Sequence, residues 1–406
     1  MSHTTPNLKN RKSFLYTISL CLLFIITNVS AFSQFNGGVI NTDNFYTEVP
    51  FEYVQDKIVI HASMNGVEGR YLLDTGAMCI LFKDSTEQQF ANSQEMKIGD
   101  ANGKKQQAQT VVMPWIQVGE LRYENIPALY IEMFDGPFKC LGYKGIIGSN
   151  LLRFGAFKID WSAQKIIIAD SYEALGGEFE NSSKLRVNKQ QSSPFVKVKV
   201  NGKSIKWVLL DTGSGDSFSL YDKSAQWLDK KNAIKAPAYV SSGTNSHGAW
   251  GAGQHQTRIY NNVELAIGHV NFNNSIIETS AGKSKIGMKA LGLGDFIIDY
   301  QQKRFFFDLN KTKQAWTIES FGVDLIMEND RFIVNGIWSG SEAEKQGIEK
   351  GDVLEEVAGM RFSEISSCDV FLSLKDITKD KNQLAFYFRK PNEEQAKKYT
   401  LSRIRF

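Results

Sequence analysis

The sequence has few cysteines and no large excess of either charge. Its four cysteines, Cys21, Cys79, Cys140 and Cys368, form no CxxC pair, which excludes a disulfide-dense scaffold and gives no cysteine pair for zinc or redox chemistry. The 47 basic and 44 acidic side chains are interspersed and leave a net charge of +3, so nucleic acid is not an expected partner. The chain also lacks a G-x-S-x-G elbow and a complete dinucleotide-binding glycine loop.

Apolar and aromatic residues are plentiful. Apolar residues make up 42% of the 406 residues, with 27 Phe, 14 Tyr and 7 Trp. This is too much buriable surface for a disordered chain. The length is two to four times that of a usual domain, so we expect several folded units.

The N-terminal segment has the pattern of a secretion signal. Basic residues at Lys9, Arg11 and Lys12 precede an uncharged, mostly apolar run of 16 residues at 14–29, followed by small residues. A helix of that length reaches about 24 Å, short of the ~30 Å core of a bilayer. We expect residues 1–33 to be a cleaved signal peptide, leaving a periplasmic or secreted protein with no stable membrane span. Leu20 before Cys21 argues against a lipoprotein.

The tripeptide Asp-Thr-Gly occurs twice, as Asp74-Thr75-Gly76 and as Asp211-Thr212-Gly213. Each copy follows an alternating apolar segment, an Asn-Gly turn and a second apolar segment, which predicts a β-hairpin that delivers the tripeptide at a strand end. Further on, residues 147–161 align without gaps with residues 286–300 at seven identities. The sequence therefore predicts two homologous β lobes at residues 45–178 and 186–312. Polar stretches at 180–184 and 188–194 are the expected linker.

Two Asp-Thr-Gly loops that face each other would form one catalytic site. Two carboxylates at about 3 Å cannot both ionise cheaply, so the pair shares a proton, for which aspartic proteases are the standard example. One carboxylate can then activate a water while its protonated partner stabilises the oxyanion. Thr75 and Thr212 can hydrogen-bond across the loops, and Gly76 and Gly213 permit close approach. No metal or other cofactor is expected.

These paired motifs resemble the retropepsin-like aspartic proteases, in the bilobal arrangement of pepsin. Each tripeptide is followed about 75 residues later by an apolar segment that ends in Gly148 or Gly287. In this family such a segment forms a strand behind the tripeptide, so the resemblance implies that both glycines support the aspartate pair. The resemblance covers residues 45–312 and implies an endopeptidase of polypeptides with Asp74 and Asp211 as catalytic residues. Because one chain supplies both aspartates, no homodimer is needed.

The family also uses β-hairpin flaps over its cleft. Glycine-containing segments at residues 99–103 and 243–253 are candidates, and Trp250 either covers substrate or packs on its own lobe. We expect His247 and His255 to be structural or solvated rather than metal ligands.

The second lobe departs from the family pattern. Lys285 stands where the first lobe has Ile146, which puts the placement of Asp211 in question. Asp216 would raise the pKa values of the aspartate pair if it pointed inward, whereas a solvent-facing side chain is expected. An alternative function is therefore a non-catalytic, exported peptide-binding scaffold.

The C-terminal residues 318–406 resemble a PDZ domain of bacterial exported proteases. The resemblance lies in the segment 339–354, with a short helix at 341–346, a glycine stop and a Gly-Asp turn into a strand. It implies that peptide C-termini bind at the loop formed by Phe321, Gly322, Val323 and Leu325. A docking module that binds no free peptide is the alternative. The whole chain is thus expected to be mainly β.

The cysteines leave two alternatives open in an oxidising compartment. Cys79 and Cys140 form a disulfide, or both are buried thiols. Cys368 has no evident partner.

Overall fold

The computed structural model describes most of the chain beyond its N-terminal segment, namely residues 35–83, 88–90, 93–133, 136–308 and 317–406. The expected signal peptide at residues 1–33 lies outside the described residues. Among the described residues, no helix has the length and apolar character needed to cross a membrane.

The first lobe is a β structure whose buried strands converge on the first Asp-Thr-Gly loop. Its strands follow the order β2-β3-β4-β9-β5-β8-β7-β6. The elements are β1 (Val39–Ile40), β2 (Tyr46–Val54), β3 (Lys57–Met64), β4 (Val67–Asp74), β5 (Ile80–Lys83), β6 (Gln94–Gly99), β7 (Lys105–Val118), β8 (Leu121–Glu132), α1 (Pro137–Cys140), β9 (Gly145–Gly148), α2 (Ser149–Leu152), β10 (Ala156–Asp160), β11 (Lys165–Ala169) and α3 (Tyr172–Leu175).

The second lobe repeats this topology. Its strands follow the order β13-β14-β15-β22-β16-β21-β20-β17, and in both lobes the strand that ends at Asp-Thr-Gly pairs in parallel with a short strand from the downstream repeat. The elements are β12 (Asn181–Lys184), β13 (Arg186–Val187), β14 (Pro194–Val200), β15 (Lys203–Leu210), β16 (Phe218–Tyr221), α4 (Asp222–Lys230), β17 (Tyr239–Val240), β18 (His247–Gly248), β19 (Gly251–Ala252), β20 (Arg258–Ile267), β21 (Val270–Ser280), β22 (Lys285–Ile286), α5 (Met288–Leu291), β23 (Phe296–Asp299) and β24 (Arg304–Phe307).

Local sequence explains the paired hairpins. The turns at Asn65-Gly66 and Asn201-Gly202 place all four residues at positive φ, between 44° and 88°. Asn and Gly tolerate this conformation, which two-residue hairpin turns require. The turns therefore fix the register of β3 with β4 and of β14 with β15, and with it the position of each Asp-Thr-Gly loop.

One sheet joins the lobes. Its strands run β12-β24-β23-β10-β11-β2, so that β10 of the first repeat pairs antiparallel with β23 of the second. Phe157 and Ile298 face each other in this register and are fully buried. The segment 181–184, expected as linker, forms β12 and pairs with β24 instead of crossing as a loop.

The C-terminal module is a separate β unit with its own core. Its sheet follows the order β26-β27-β28-β30-β31, and the helix predicted at 341–346 is present with Ser341 as its N-cap. The elements are β25 (Glu319–Ser320), β26 (Val323–Glu328), β27 (Arg331–Ile337), α6 (Glu342–Lys345), β28 (Val353–Val357), β29 (Met360–Arg361), α7 (Ser367–Thr378), β30 (Gln383–Arg389), β31 (Lys397–Ser402) and β32 (Ile404–Arg405). The mainly β fold expected from the sequence is confirmed.

The C-terminal module contacts both lobes. On the second lobe, Ser241 forms a backbone bridge with Trp338, and buried Asn335 donates to the Thr244 carbonyl at 2.6 Å. On the first lobe, a disulfide joins Cys140 at the end of α1 to Cys368 in α7.

This pairing corrects the cysteine expectations. Cys140 bonds to Cys368, which had no evident partner, and Cys79 is a buried free thiol. The physical reason is that α1 packs against α7 across the contact between lobe and module, which brings together residues 228 positions apart.

Candidate active site

Both Asp-Thr-Gly loops lie at the ends of buried strands and meet between the lobes. Asp74 ends β4 and stands in register with Gly148 of β9, while the backbone N–H of Asp211 donates to the Ile286 carbonyl. Both aspartate side chains are half-buried, whereas Thr75 and Thr212 are fully buried. The paired strands thus support the backbone of each loop, while the carboxyl groups remain partly accessible.

The two threonines link the loops reciprocally. The Thr75 hydroxyl donates to the Leu210 carbonyl at 2.6 Å and accepts from the Thr212 N–H at 3.0 Å. The Thr212 hydroxyl donates to the Leu73 carbonyl at 2.8 Å and accepts from the Thr75 N–H at 3.0 Å. These four buried hydrogen bonds join each loop to the opposite lobe and restrict their relative movement.

The glycines of the two motifs allow the loops to approach. A Cβ atom placed on Gly213 would lie 2.2 Å from Asp74 Oδ2, and one on Gly76 would lie 2.8 Å from Asp211 Oδ1. Each glycine N–H also donates to the aspartate of its own motif, at 2.7 Å for Asp74 and 3.1 Å for Asp211. A side chain at either position would occupy the space of the opposite carboxyl group.

The carboxyl groups of Asp74 and Asp211 lie at one site, each against the glycine of the opposite loop, and they interact electrostatically. Burial and the neighbouring charge of Asp211 raise the pKa of Asp74 to about 7, against the opposing effect of the Gly76 N–H and of Lys57. A carboxyl group that keeps its proton near neutral pH next to a second carboxyl group is the arrangement that acid–base chemistry on a bound water requires.

The glycines predicted to support the pair pack behind the loops. A Cβ atom on Gly148 would lie 2.3 Å from the Met78 backbone, and one on Gly287 would lie 2.4 Å from the Asp216 carbonyl oxygen. Gly148 leads into α2, where the Ser149 hydroxyl donates to the Thr75 carbonyl at 2.5 Å. Sequence reasoning missed Ser149, because the aligned residue of the second repeat is Met288, which cannot make this bond.

Lys285 and Asp216, the two residues that depart from the family pattern, form an ion pair beside the second Asp-Thr-Gly loop. Lys285 Nζ lies 2.8 Å from Asp216 Oδ2, with the Lys285 side chain 18% exposed. Burial of Asp216 would raise its pKa, but the charge and hydrogen bond of Lys285 outweigh this and hold the pKa well below its usual range. The Asp216 side chain is 38% exposed, so it partly faces solvent as expected, but it is also paired with Lys285. The ion pair accommodates Lys285 while β22 still pairs with β15 behind Asp211.

The two candidate flaps contact each other across the lobes. The segment 99–103 turns between β6 and β7, and the segment 243–253 contains the β18–β19 hairpin. Asp100 Oδ2 accepts from the Trp250 N–H at 3.1 Å, and the Ser246 hydroxyl donates to Asn102 at 2.7 Å. Trp250 packs on a cluster of the first lobe that includes Met78.

The histidines of the second segment have structural surroundings. His247 Nε2 lies 3.3 Å from the Met327 carbonyl oxygen, and burial lowers the pKa of His247 and of His255. Within the described residues, no group of three or more His, Cys, Asp or Glu side chains is placed to hold a metal ion.

The four residues expected to bind peptide lie at one edge of the C-terminal module. Gly322 has a φ of 88° and accepts a hydrogen bond from the Trp338 N–H. Phe321, Val323 and Leu325 are partly buried against the core of the module. Val323 and Leu325 belong to β26, which pairs with β27.

Two residues that hold the Asp-Thr-Gly loops could not be found from motif spacing. Lys57 at the start of β3 donates to the Gly213 carbonyl at 2.5 Å, and Gln191 donates to the Gly76 carbonyl at 2.7 Å. They occupy different places relative to the repeats, and Gln191 falls in the polar stretch expected as linker.

A family model of aspartyl proteases matches residues 60–151. The match spans β4, the first Asp-Thr-Gly loop and Gly148, so it covers the first half of the site just described. It supports an aspartic protease domain in this chain. No curated protein matches the sequence.

Proposed function

We propose that this protein is an exported, bilobal aspartic endopeptidase in which Asp74 and Asp211 activate a water molecule. The observation that carries the proposal is the pair of interacting carboxyl groups, whose loops are joined by reciprocal threonine hydrogen bonds. The aspartyl protease match over the first lobe supports the same reaction class. Export rests on the N-terminal sequence.

The reaction uses one proton shared by the pair. The ionised carboxylate takes a proton from the water as the water oxygen attacks the peptide carbonyl, and the protonated carboxyl group donates a hydrogen bond to the developing oxyanion. In the second step the tetrahedral intermediate collapses and the C–N bond breaks. The nitrogen receives the proton that the carboxylate took from water, which restores the pair to one shared proton. The half-buried position of both aspartates suits this role, since burial keeps one of them protonated.

Replacement of either aspartate tests the reaction. Asp74→Asn and Asp211→Asn should each lower cleavage of an unfolded protein substrate, such as denatured casein, by about a thousandfold or more, because the pair then cannot both accept and donate a proton. Circular dichroism and thermal unfolding check that the fold is retained. Full activity in a folded variant would exclude the proposal.

For the C-terminal module we propose recognition of peptide C-termini. The Phe321-Gly322-Val323 loop and the adjoining strand β26 offer backbone groups and partly buried apolar side chains to an extended peptide, which is the mode of strand addition. Peptides that end in an apolar residue should bind with a free C-terminus and lose affinity when the C-terminus is amidated. Equal binding of both forms, or Leu325→Lys binding as the wild type does, would contradict this role.

A further inference from the structure

Lys57 and Gln191 make equivalent contacts across the two lobes. Lys57 Nζ, from the first lobe, donates to the carbonyl of Gly213 in the second catalytic loop at 2.5 Å. Gln191 precedes β14, the first strand of the second hairpin. Its Nε2 donates to the carbonyl of Gly76 in the first loop at 2.7 Å. Each catalytic loop is thus held by a side chain of the opposite lobe.

These contacts lead directly to the carboxyl pair. The peptide N–H of Gly213 donates to Asp211 Oδ1, and the peptide N–H of Gly76 donates to Asp74 Oδ1. Lys57 therefore fixes the glycine that binds Asp211, and Gln191 fixes the glycine that binds Asp74. A displaced glycine would move the hydrogen-bond donor of its aspartate and the aspartate with it.

The two contacts differ in charge. Gln191 is neutral, whereas the half-buried Lys57 carries an ammonium group beside the second loop. Burial lowers the pKa of Lys57, and the charges of Asp216, Asp211 and Asp74 oppose this effect in decreasing order, with Lys285 acting in the same direction as burial. Lys57 therefore interacts with the charges of both aspartates.

The other charges near Lys57 are already paired. Lys285 forms its ion pair with Asp216 at 2.8 Å, and Asp56 forms one with Lys375 of α7 at 2.8 Å. The charge of Lys57 then faces the single negative charge that the carboxyl pair retains when it holds one proton. A nearby cation favours the ionised form of a carboxyl group.

The turn that carries Lys57 is rigidly held. Gln55 and Asp56 both have positive φ, and they contact α7 through the ion pair to Lys375 and a 3.0 Å hydrogen bond from Gln55 to the Leu372 carbonyl. The C-terminal module therefore anchors the base of the lysine that reaches the second catalytic loop.

We propose that Lys57 and Gln191 are positioning residues of the catalytic pair, and that the positive charge of Lys57 favours the state in which the pair has lost one of its two protons. This inference rests on the proposed aspartic protease function.

The pH profile of cleavage separates charge from anchoring. Lys57→Met should lower kcat/KM about tenfold or more, since small displacements of catalytic groups are costly. It should also move the acidic and the alkaline limb of the bell-shaped pH profile of kcat/KM to higher pH, because the carboxyl groups lose a nearby cation. Lys57→Arg keeps the charge, so both limbs should return to their wild-type pH values. Gln191→Met removes the matching neutral contact, so it should lower kcat/KM with the limbs unmoved. Lys165→Met, at an exposed ion pair with Glu48, is the control and should behave as the wild type does.

A second readout does not depend on activity. Carboxyl ¹³C resonances of the two aspartates, assigned with Asp74→Asn and Asp211→Asn, should show one protonated carboxyl group between the two limbs. In Lys57→Met the pH at which the pair loses its first proton should rise. Unmoved limbs and unchanged resonances in folded Lys57→Met would overturn the inference. If the wild type cleaves no substrate, the proposed function fails while the resonances still decide the role of Lys57.

Discussion

Thr75 and Thr212 exchange the same two hydrogen bonds, each accepting from the other's backbone N–H and donating to a carbonyl of the opposite lobe. Both residues are fully buried, so a lost hydroxyl leaves polar groups without water. Thr75→Val should lower the free energy of unfolding by about 2 kcal/mol or more and should lower kcat, because the loops can then shift. Urea unfolding and steady-state kinetics measure both effects.

Thr75→Ser is the matched control, because it retains the hydroxyl. It should keep most of the activity and stability. A Thr75→Val variant as active as the serine variant would show that the reciprocal bonds do not position the aspartates.

The spacing at the glycines predicts an order of effects. Gly213→Ala brings a methyl group within 2.2 Å of Asp74 Oδ2, whereas the equivalent distance for Gly76→Ala to Asp211 Oδ1 is 2.8 Å. Both should abolish most cleavage, and Gly213→Ala should be the more severe. Gly202→Asn, at a turn with open space and positive φ, should leave kcat unchanged, since Asn adopts this conformation. Equal kcat in all three variants would refute the close approach.

The raised pKa of Asp74 predicts how stability varies with pH. The folded protein keeps the proton of Asp74 up to a pKa of about 7, while the unfolded chain releases it near the ordinary value of 3.8. Between these values the folded state binds more protons, so this group's contribution to the free energy of unfolding falls as the pH rises. Asp74→Asn should lack this loss and should gain melting temperature relative to the wild type at pH 8 more than at pH 4. Parallel melting curves at both pH values would argue against a buried, protonated Asp74.

The disulfide between Cys140 and Cys368 joins the first lobe to the C-terminal module. Reduction, or replacement of both cysteines by alanine, should lower stability by about 2–4 kcal/mol, because the cross-link restricts the unfolded chain. In a Cys21→Ser background the folded protein should show no reactive thiol, since Cys79 is buried, and one thiol should react after denaturation without reductant. Three reactive thiols under those conditions would contradict the pairing.

The repeated parts of this structure could be read from the sequence, because they depend on local signals. The Asn-Gly turns, the alternating strands and the two Asp-Thr-Gly tripeptides each specify a strand and its end within about ten residues. The equal spacing of the two copies then implies one paired site.

The features that could not be predicted from the sequence depend on contacts between distant segments. The polar segment 181–184 becomes a strand only because β24 offers it an edge. The pairing of β22 with β16 brings Lys285 next to Asp216. The contact of α1 with α7 brings Cys140 next to Cys368. No local pattern in a single sequence encodes these partners.

Because β10 and β23 pair in one sheet, the two lobes are joined by strand pairing as well as by the chain that connects them. A backbone cut at Gln190, between β13 and β14, would leave β23 paired with β10 and β24 paired with β12 across the cut. A nicked protein should therefore stay together on gel filtration without denaturant and unfold in one transition. We therefore expect access to the aspartate pair to depend on the contacting segments at 99–103 and 243–253, because the shared sheet holds the two lobes together.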